Sequence, residues 1–383
     1  MADLLTSDPT TGEHIKVDEN ARRAYWKIKV KGVDITSLVK KDLISLEIKD
    51  NEEDEADDFQ LKLADRDGVW LQKWLNETVQ KGAKTKGLQF NVWIGIKDSN
   101  GQVKKQKSGN FLLDSMKHSG PPSVTTIKCL SLDFAGGIRT EARDKSWENY
   151  SIKGIAKDIA KKGKLKVLFL AKKNPKKERW EQSEETDIAF LVRICRSHGM
   201  AVKITDRKLV IFQRGQYDSQ DAIASFVYGK GKYTKWDCGT TSGDVTYDIC
   251  TVEYTNPKTG KVIKGVYKSP EWQAEEDRVA EANADKEEGA ELETAEHMEL
   301  KIRGQKVTSI AKANELAEVS LNLKNTFERT VTLTLPGNPA MLSGLPVTLN
   351  KFGYWSGKYM ISEASHSISS SGYTTKIKLR FIK

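Results

Sequence analysis

Ser108-Gly109-Asn110-Phe111-Leu112-Leu113 runs on to His118 and then to Thr125-Thr126-Ile127-Lys128. A stretch near the C-terminus follows the same plan: Ser356-Gly357-Lys358-Tyr359-Met360-Ile361, then His366, then Thr374-Thr375-Lys376-Ile377. His follows Ser by ten positions in both copies, and the step from His to Thr-Thr is 7 in one and 8 in the other. Phe111 with Leu113, and Tyr359 with Ile361, alternate at the two-residue period of a strand. Gly120-Pro121-Pro122 and Ser369-Ser370-Ser371-Gly372 supply turn residues between paired strands. Two unrelated hairpins with common turn chemistry would give part of this pattern. Two related β-domains, one in each half of the chain, give all of it. On that reading Ser108, Gly109, Phe111 and His118 correspond to Ser356, Gly357, Tyr359 and His366. The glycines let the backbone turn or bulge before the strand, Phe111 and Tyr359 are core side chains, and the histidines are polar residues at strand ends. A metal held by the two histidines is the sharper alternative, but each copy contributes one histidine where a site needs several close together.

The flanking sequence fits. Trp26, Ile28 and Val30 alternate, as do Ile44, Leu46 and Ile48, then Phe59, Leu61 and Leu63, then Phe90, Val92, Ile94 and Ile96. Short strands at such even spacing point to a small β-barrel. Asp50-Asn51-Glu52-Glu53-Asp54-Glu55-Ala56-Asp57-Asp58 falls between two of them. It lacks the ligand spacing and central glycine of a calcium loop, so the expectation is a solvated hairpin tip or a negative docking patch. Trp70, Leu71, Trp74 and Leu75 predict a short helical face. In the middle of the chain the period changes to that of helices. Ile152, Ile155, Ala156, Ile159 and Ala160 form one apolar stripe, stopped at Gly163. Ser183-Glu184-Glu185-Thr186 is a capping signal for a second helix whose face is Ile188, Leu191, Val192 and Cys195. Residues 271–299 are rich in Glu and Ala, which predicts a solvated helix or a linker. Ile310 to Leu323 predicts an amphipathic helix, and strands close the chain.

Composition excludes several classes. The 383 residues carry 38% hydrophobic and 30% charged side chains, as a soluble protein does, and no apolar run nears the ~20 residues of a membrane span. Met1 to Asn20 has no basic start followed by an apolar block, so a secretory leader is not expected. Cys129, Cys195, Cys238 and Cys250 contain no CxxC pair, which predicts free thiols and no zinc site. The net charge of +9 comes from scattered residues. Trp26, Trp93, Trp147 and Trp236 lie in apolar patterns rather than among basic clusters, so they are expected in the core, without specific nucleic-acid binding. No G-x-S-x-G elbow is present, no carboxylate pair is marked among 53 acidic residues, and Gly229-Lys230-Gly231-Lys232 lacks the spacing of a phosphate loop. No cofactor is expected. A cell-wall (peptidoglycan) binding or hydrolysing protein is the alternative of another class, resting on Ser151-Ile152-Lys153-Gly154-Ile155-Ala156; a helix packed on a sheet explains the same residues.

Asp34-Ile35-Thr36, Leu43, Ser45, Asp50-Asn51, Glu55-Ala56-Asp57, Asp67-Gly68, Asp133-Phe134, Ser146-Trp147, Gln182-Ser183, Asp187, Phe190-Leu191, Arg193, Pro336-Gly337, Gly344, His366 and Gly372-Tyr373-Thr374-Thr375 occur in this order from about residue 25 to the C-terminus. In order and spacing they resemble the phage late-control protein D family, the baseplate hubs of contractile-tailed phages. That family is similar to the hub of T-even phages and to the N-terminal part of type VI secretion spike proteins. The resemblance implies a mainly β fold with an α+β insert: two related small β-barrel domains flanking a smaller α+β domain. The expected division is a flexible arm at 1–20, a tube-like barrel at 21–134, an α+β domain at 135–225 and a second barrel at 226–383, interrupted by an acidic linker at about 271–299. It further implies a non-enzymatic homotrimer in the virion baseplate, assembled in the bacterial host cytoplasm. Its expected partners are a tail-tube ring, a trimeric spike protein, and neighbours such as the tape-measure protein and other baseplate proteins.

Overall fold

A computed structural model of the chain describes residues 23–70, 88–98, 100–131, 137–240, 246–257, 259–284, 293–294, 296–326 and 328–382. The arm at 1–20, the predicted helical residues Leu71, Trp74 and Leu75, and the pair Asp133-Phe134 lie outside these residues. The fold is mainly β, with several sheets. The chain divides into two compact units, one of residues 1–195, 200–238 and 331–383, the other of 196–199 and 239–330.

In the first unit, β1 (Arg23–Val30), β2 (Val33–Asp34), helix α1 (Thr36–Asp42), β3 (Leu43–Asn51), β4 (Asp58–Ala64), β5 (Gln89–Lys97), β6 (Val103–Ser119) and β7 (Val124–Leu130) come first. The α+β part follows: β8 (Ala142–Glu148), α2 (Ile152–Lys162), β9 (Lys166–Phe169), β10 (Arg179–Thr186), α3 (Asp187–Arg196), β11 (Met200–Thr205) and β12 (Lys208–Gln213). Next are β13 (Ala224–Val227) and β14 (Lys235–Thr240). The second unit carries β15 (Ile249–Thr255), β16 (Val262–Lys268), α4 (Pro270–Ala284), β17 (Glu299–Arg303) and α5 (Ile310–Asn325). The chain then returns through β18 (Arg329–Pro336), β19 (Pro346–Asn350), β20 (Gly357–Ser369) and β21 (Gly372–Phe381).

The two copies of the repeat build the same arrangement. The first half is ordered β3-β4-β7-β6-β5, and the second β14-β18-β21-β20-β19. Each repeat is the hairpin at the centre: β6 with β7, β20 with β21. The halves are not separate sheets. Residues Glu363–Ser369 of β20 pair antiparallel with Ser45–Asn51 of β3, which fuses both halves into one sheet of 13 strands among the described residues. Alternation along each strand sends every second side chain to a core. Phe59, Leu61, Phe90 and Phe111 lie in one core, and Leu333, Val347, Tyr359 and Ile377 in another. A third core joins α2 and α3 to β11 and β12 through Ile155, Ile159, Phe190, Val202 and Ile211. Helix α2 starts where Ser151 Oγ accepts the Gly154 N–H, and ends at Gly163. The second predicted helix is shifted from its expected start. Ser183 to Thr186 remain in β10, and Thr186 Oγ1 accepts the Ala189 N–H, so the threonine rather than the serine caps α3. In the second unit α5 packs on the β16-β15-β17 sheet through Ala313, Ala317 and Leu321 against Cys250 and Val252. Residues 270–284 of the Glu/Ala-rich stretch form α4, with Trp272 as its buried residue.

Trp236 corrects an expectation. It is 48% exposed, because β14 is the terminal strand of the sheet order and receives cover from one side only. Trp147 is buried. Phe111 is fully buried, with its ring centroid 5.6 Å from that of Phe59. Its truncation to Ala is expected to cost about 3–5 kcal/mol in denaturant unfolding. Val33→Ala, at a position 65% exposed, should stay within about 0.5 kcal/mol of wild type. Equal effects of the two changes would refute this assignment of the core.

Candidate functional site

The repeated residues occupy matching places. Ser108 is the extra residue where the β5–β6 register shifts, and Gly109 follows it opposite Val92. Gly357 lies opposite Leu349 at the start of β20. Both glycines have φ in the region that side chains avoid, +150° and +144°. A Cβ at Gly109 would meet the Phe111 ring at 3.1 Å, and one at Gly357 would meet the Phe381 ring at 2.8 Å. Tyr359, fully buried, donates its hydroxyl to the Trp355 carbonyl at 2.9 Å, while Ser356 Oγ accepts the Phe352 N–H. Six residues after each Ser the hairpin register shifts again, at Asp114 and at Ser362. His118 then stands opposite Thr125, with Nδ1 2.9 Å from Oγ1, and His366 opposite Thr375, at 3.2 Å. The duplication therefore extends to bulges and cross-strand partners. The two histidines do not come together, and no cluster of three or more metal-ligating side chains occurs among the described residues.

The histidines differ in surroundings. His118 keeps 25% of its side chain exposed, whereas His366 is 1% exposed under the β3 joint, opposite Ile48. The Tyr373 hydroxyl lies 2.9 Å from Nδ1 of His366, and Nε2–H donates to the Met341 carbonyl at 3.0 Å. Burial lowers the pKa of His366 to about 4, against the smaller opposing pull of Asp50.

The most heavily charged place in the first unit is the acidic run between β3 and β4. It is not a solvated tip. Asn51, Glu52 and Asp57 are at most 6% exposed. The Asp54 N–H donates to the Val202 carbonyl, Ala56 bridges Ile204 in parallel, and the Glu52 N–H donates to the Ser362 carbonyl at the β20 bulge. Cations from three distant segments neutralise the carboxylates. Lys203, 1% exposed, donates from Nζ to Asp50 Oδ1 at 2.6 Å and to Ser343 Oγ at 2.7 Å. Asp50 Oδ2 accepts the Ser343 N–H. Arg380 forks onto Glu52 at 2.9 and 2.7 Å, and Arg214 reaches Glu53 at 2.7 Å and Asp54 at 3.1 Å. Burial opposes the charge of Lys203, yet Asp50 and Asp57 together outweigh it and its pKa is raised. Burial raises Glu53 and Asp57 each to about 7. Sequence reading missed Lys203, Arg214, Ser343 and Arg380. The one signal available was Lys203 itself, an ion between Val202 and Ile204 in a strand buried on both faces.

These carboxylates are engaged with cations drawn from distant segments of the chain, which is the geometry of a joint. A family model described as the phage tail baseplate hub (GPD) matches residues 129–372, more than half of the chain. This chain belongs to the phage tail baseplate hub family. A probable baseplate hub protein of Escherichia phage 186 is 32% identical over 184 residues, which is 48% of this chain and 43% of that relative. The matched segment thus spans less than half the length of the curated hub. Among solved structures, a tail protein of Neisseria meningitidis MC58 shares the fold with a TM-score of 0.64 and 16% identity, covering 94% of this chain and 96% of the other. An Escherichia coli component of the type VI secretion system, itself similar in structure to T4 tail proteins, aligns with a TM-score of 0.53 and 8% identity over 93% of this hub and 77% of its own chain.

Two outcomes test the joint. Lys203→Met should lose about 3–5 kcal/mol in chemical unfolding by stranding Asp50, and the double change with Asp50→Asn should recover part of that loss. A double variant no better than the single would show the pair to be uncoupled. His366 binds fewer protons folded than unfolded between pH 6.5 and its lowered value of about 4. Its contribution is therefore complete above pH 6.5 and lost as pH falls towards 4, about 3 kcal/mol in all relative to His366→Gln. Parallel stability–pH curves for the two proteins would contradict it.

Proposed function

We propose that this hub is the homotrimeric adaptor at the end of a contractile phage tail or phage-tail-like particle. It joins a six-fold tail tube to a three-fold membrane-piercing spike and leaves a central channel open. The observation that carries this reading is the internal duplication. A subunit with two equivalent β-halves presents six of them as a trimer, so one end matches a six-fold ring while the particle keeps three-fold symmetry. Type VI secretion and phage tail proteins of similar fold support the setting.

The work is mechanical: sheath contraction loads the hub, and paired strands and buried ion pairs carry the load without chemistry. Its partners are the tube ring, the trimeric spike protein, and neighbouring tail components such as the tape-measure protein. Assembly takes place in the bacterial host cytoplasm, and the product is a virion baseplate protein. DNA passes through the channel without being gripped. Negative-stain electron microscopy of the purified chain, alone and co-expressed with its spike partner, should give a three-fold ring with an open centre. Monomers in both preparations would overturn the proposal.

A further inference from the structure

We infer that the outer face of β1, β5 and the first part of β6 is a docking surface for an acidic polypeptide segment of a partner protein. Alternation sorts these strands into two sides. Ile28, Val30, Phe90, Val92 and Ile94 point into the first core. The opposite side carries the cations Arg23, Lys27, Lys29, Lys97, Lys105 and Lys107. Neither β1 nor β5 contains an Asp or Glu, and β6 has none over its pairing with β5.

Two carboxylates reach this side from elsewhere. Asp34 meets Lys27 at 3.1 Å, and Asp206 meets Lys107 at 3.4 Å. Among the described residues no carboxylate lies within salt-bridge distance of Arg23, Lys29, Lys97 or Lys105. Arg23 stands directly opposite Lys97 on the neighbouring strand, and both are exposed. Like charges so placed destabilise a sheet. Other sheet faces of this chain mix their signs. Glu253 of β15 lies between Lys264 and Arg303 on its two neighbours, and Lys49 of β3 meets Glu55 and Glu363. The β1-β5-β6 face thus keeps a repulsion that an anionic occupant would relieve. It also bends towards that occupant. A Cβ at Gly95 would meet the Lys105 Cα at 2.7 Å, so β6 closes over β5 on this side and makes the face concave.

The aromatic on this face decides which anion fits. Trp93, expected in the core, lies half-buried on the outer side, with Lys27 opposite it on one strand and Lys107 on the other. Lys29 Nζ stands 5.9 Å from its ring centroid. A single-stranded nucleic acid needs open rings on which bases stack. Here lysines surround the ring, and the two cations already neutralised hold carboxylates. The chemistry favours a run of Asp and Glu side chains.

The test titrates a fluorescein-labelled oligoglutamate peptide into the full chain, read by anisotropy, beside a labelled oligothymidylate of equal charge. Peptide binding should weaken as salt is raised. Lys97→Glu and Lys105→Glu should each weaken it about tenfold, while Lys230→Glu with Lys232→Glu, on an exposed turn elsewhere, should change it by less than about twofold. Lys97→Glu sets a carboxylate opposite Arg23, so it should melt no lower than wild type, which separates lost binding from lost folding. On the wild-type chain, bound peptide should slow acetylation of Lys29, Lys97 and Lys105. Absence of peptide binding at low salt, or equal weakening by the Lys230 and Lys232 changes, would overturn the proposal. Tighter binding of oligothymidylate through the same lysines would also overturn it and assign the face to nucleic acid. The face lies within one copy, so a trimer that ignores the peptide would sink this inference alone, and a monomer that binds it would sink the adaptor reading alone.

Discussion

The ladder between β20 and β3 is the constraint on which the rest of the first unit depends. It pairs Glu363 through Ser369 with residues more than 300 positions earlier in the chain. Because β3 runs directly into the acidic run, forming the ladder carries that run out of water, and buried carboxylates are tolerable only when paired. The need for Lys203, Arg214 and Arg380 follows from the ladder. So does their origin in elements that meet only once the ladder exists. The ion pairs in turn act on the ladder. A slip of one residue would turn every side chain of β3 to the opposite face. It would also move Glu52 away from the fork of Arg380 and Asp50 away from Lys203. Hydrophobic strands alone tolerate such slips better than a lysine 1% exposed tolerates the loss of its carboxylate. The junction contributes register at least as much as it contributes stability.

Local features of the sequence were legible where their causes are local. A glycine held at positive φ against an aromatic ring, a register shift six residues on, and a histidine facing a threonine are all encoded within one hairpin, so the repeat could be read before any fold was known. Helices α2 and α5 were legible for the same reason, through their apolar spacing and, in α2, the glycine that stops it. The acidic run was not. Lys203 stands 153 residues from Asp50, and Arg380 stands 328 from Glu52, distances over which no pattern in the chain points from one to the other. Trp236 was misread because two-residue alternation reports a strand and its apolar side, not whether another strand covers it. Ser183 was misread because a strand with the same polar residues competes with the capping signal until Thr186 takes it over.

The two halves depart from each other as informatively as they agree. Between β3 and β4 the chain needs six residues, 52–57, and these become the acidic junction. Between the corresponding strands β14 and β18 it carries almost the whole second unit, residues 239–330. A ring of six identical halves would have six-fold symmetry and nothing to offer a three-fold partner. Fusing the halves in pairs, then elaborating one member of each pair, lowers the symmetry of the proposed ring to three without disturbing the shared hairpins that build it. Fusion also makes half of the joints intramolecular. A joint held by the chain itself forms at an effective concentration set by the linker rather than by protein abundance. In the proposed trimer, three subunits would then need three encounters where six separate halves would need six.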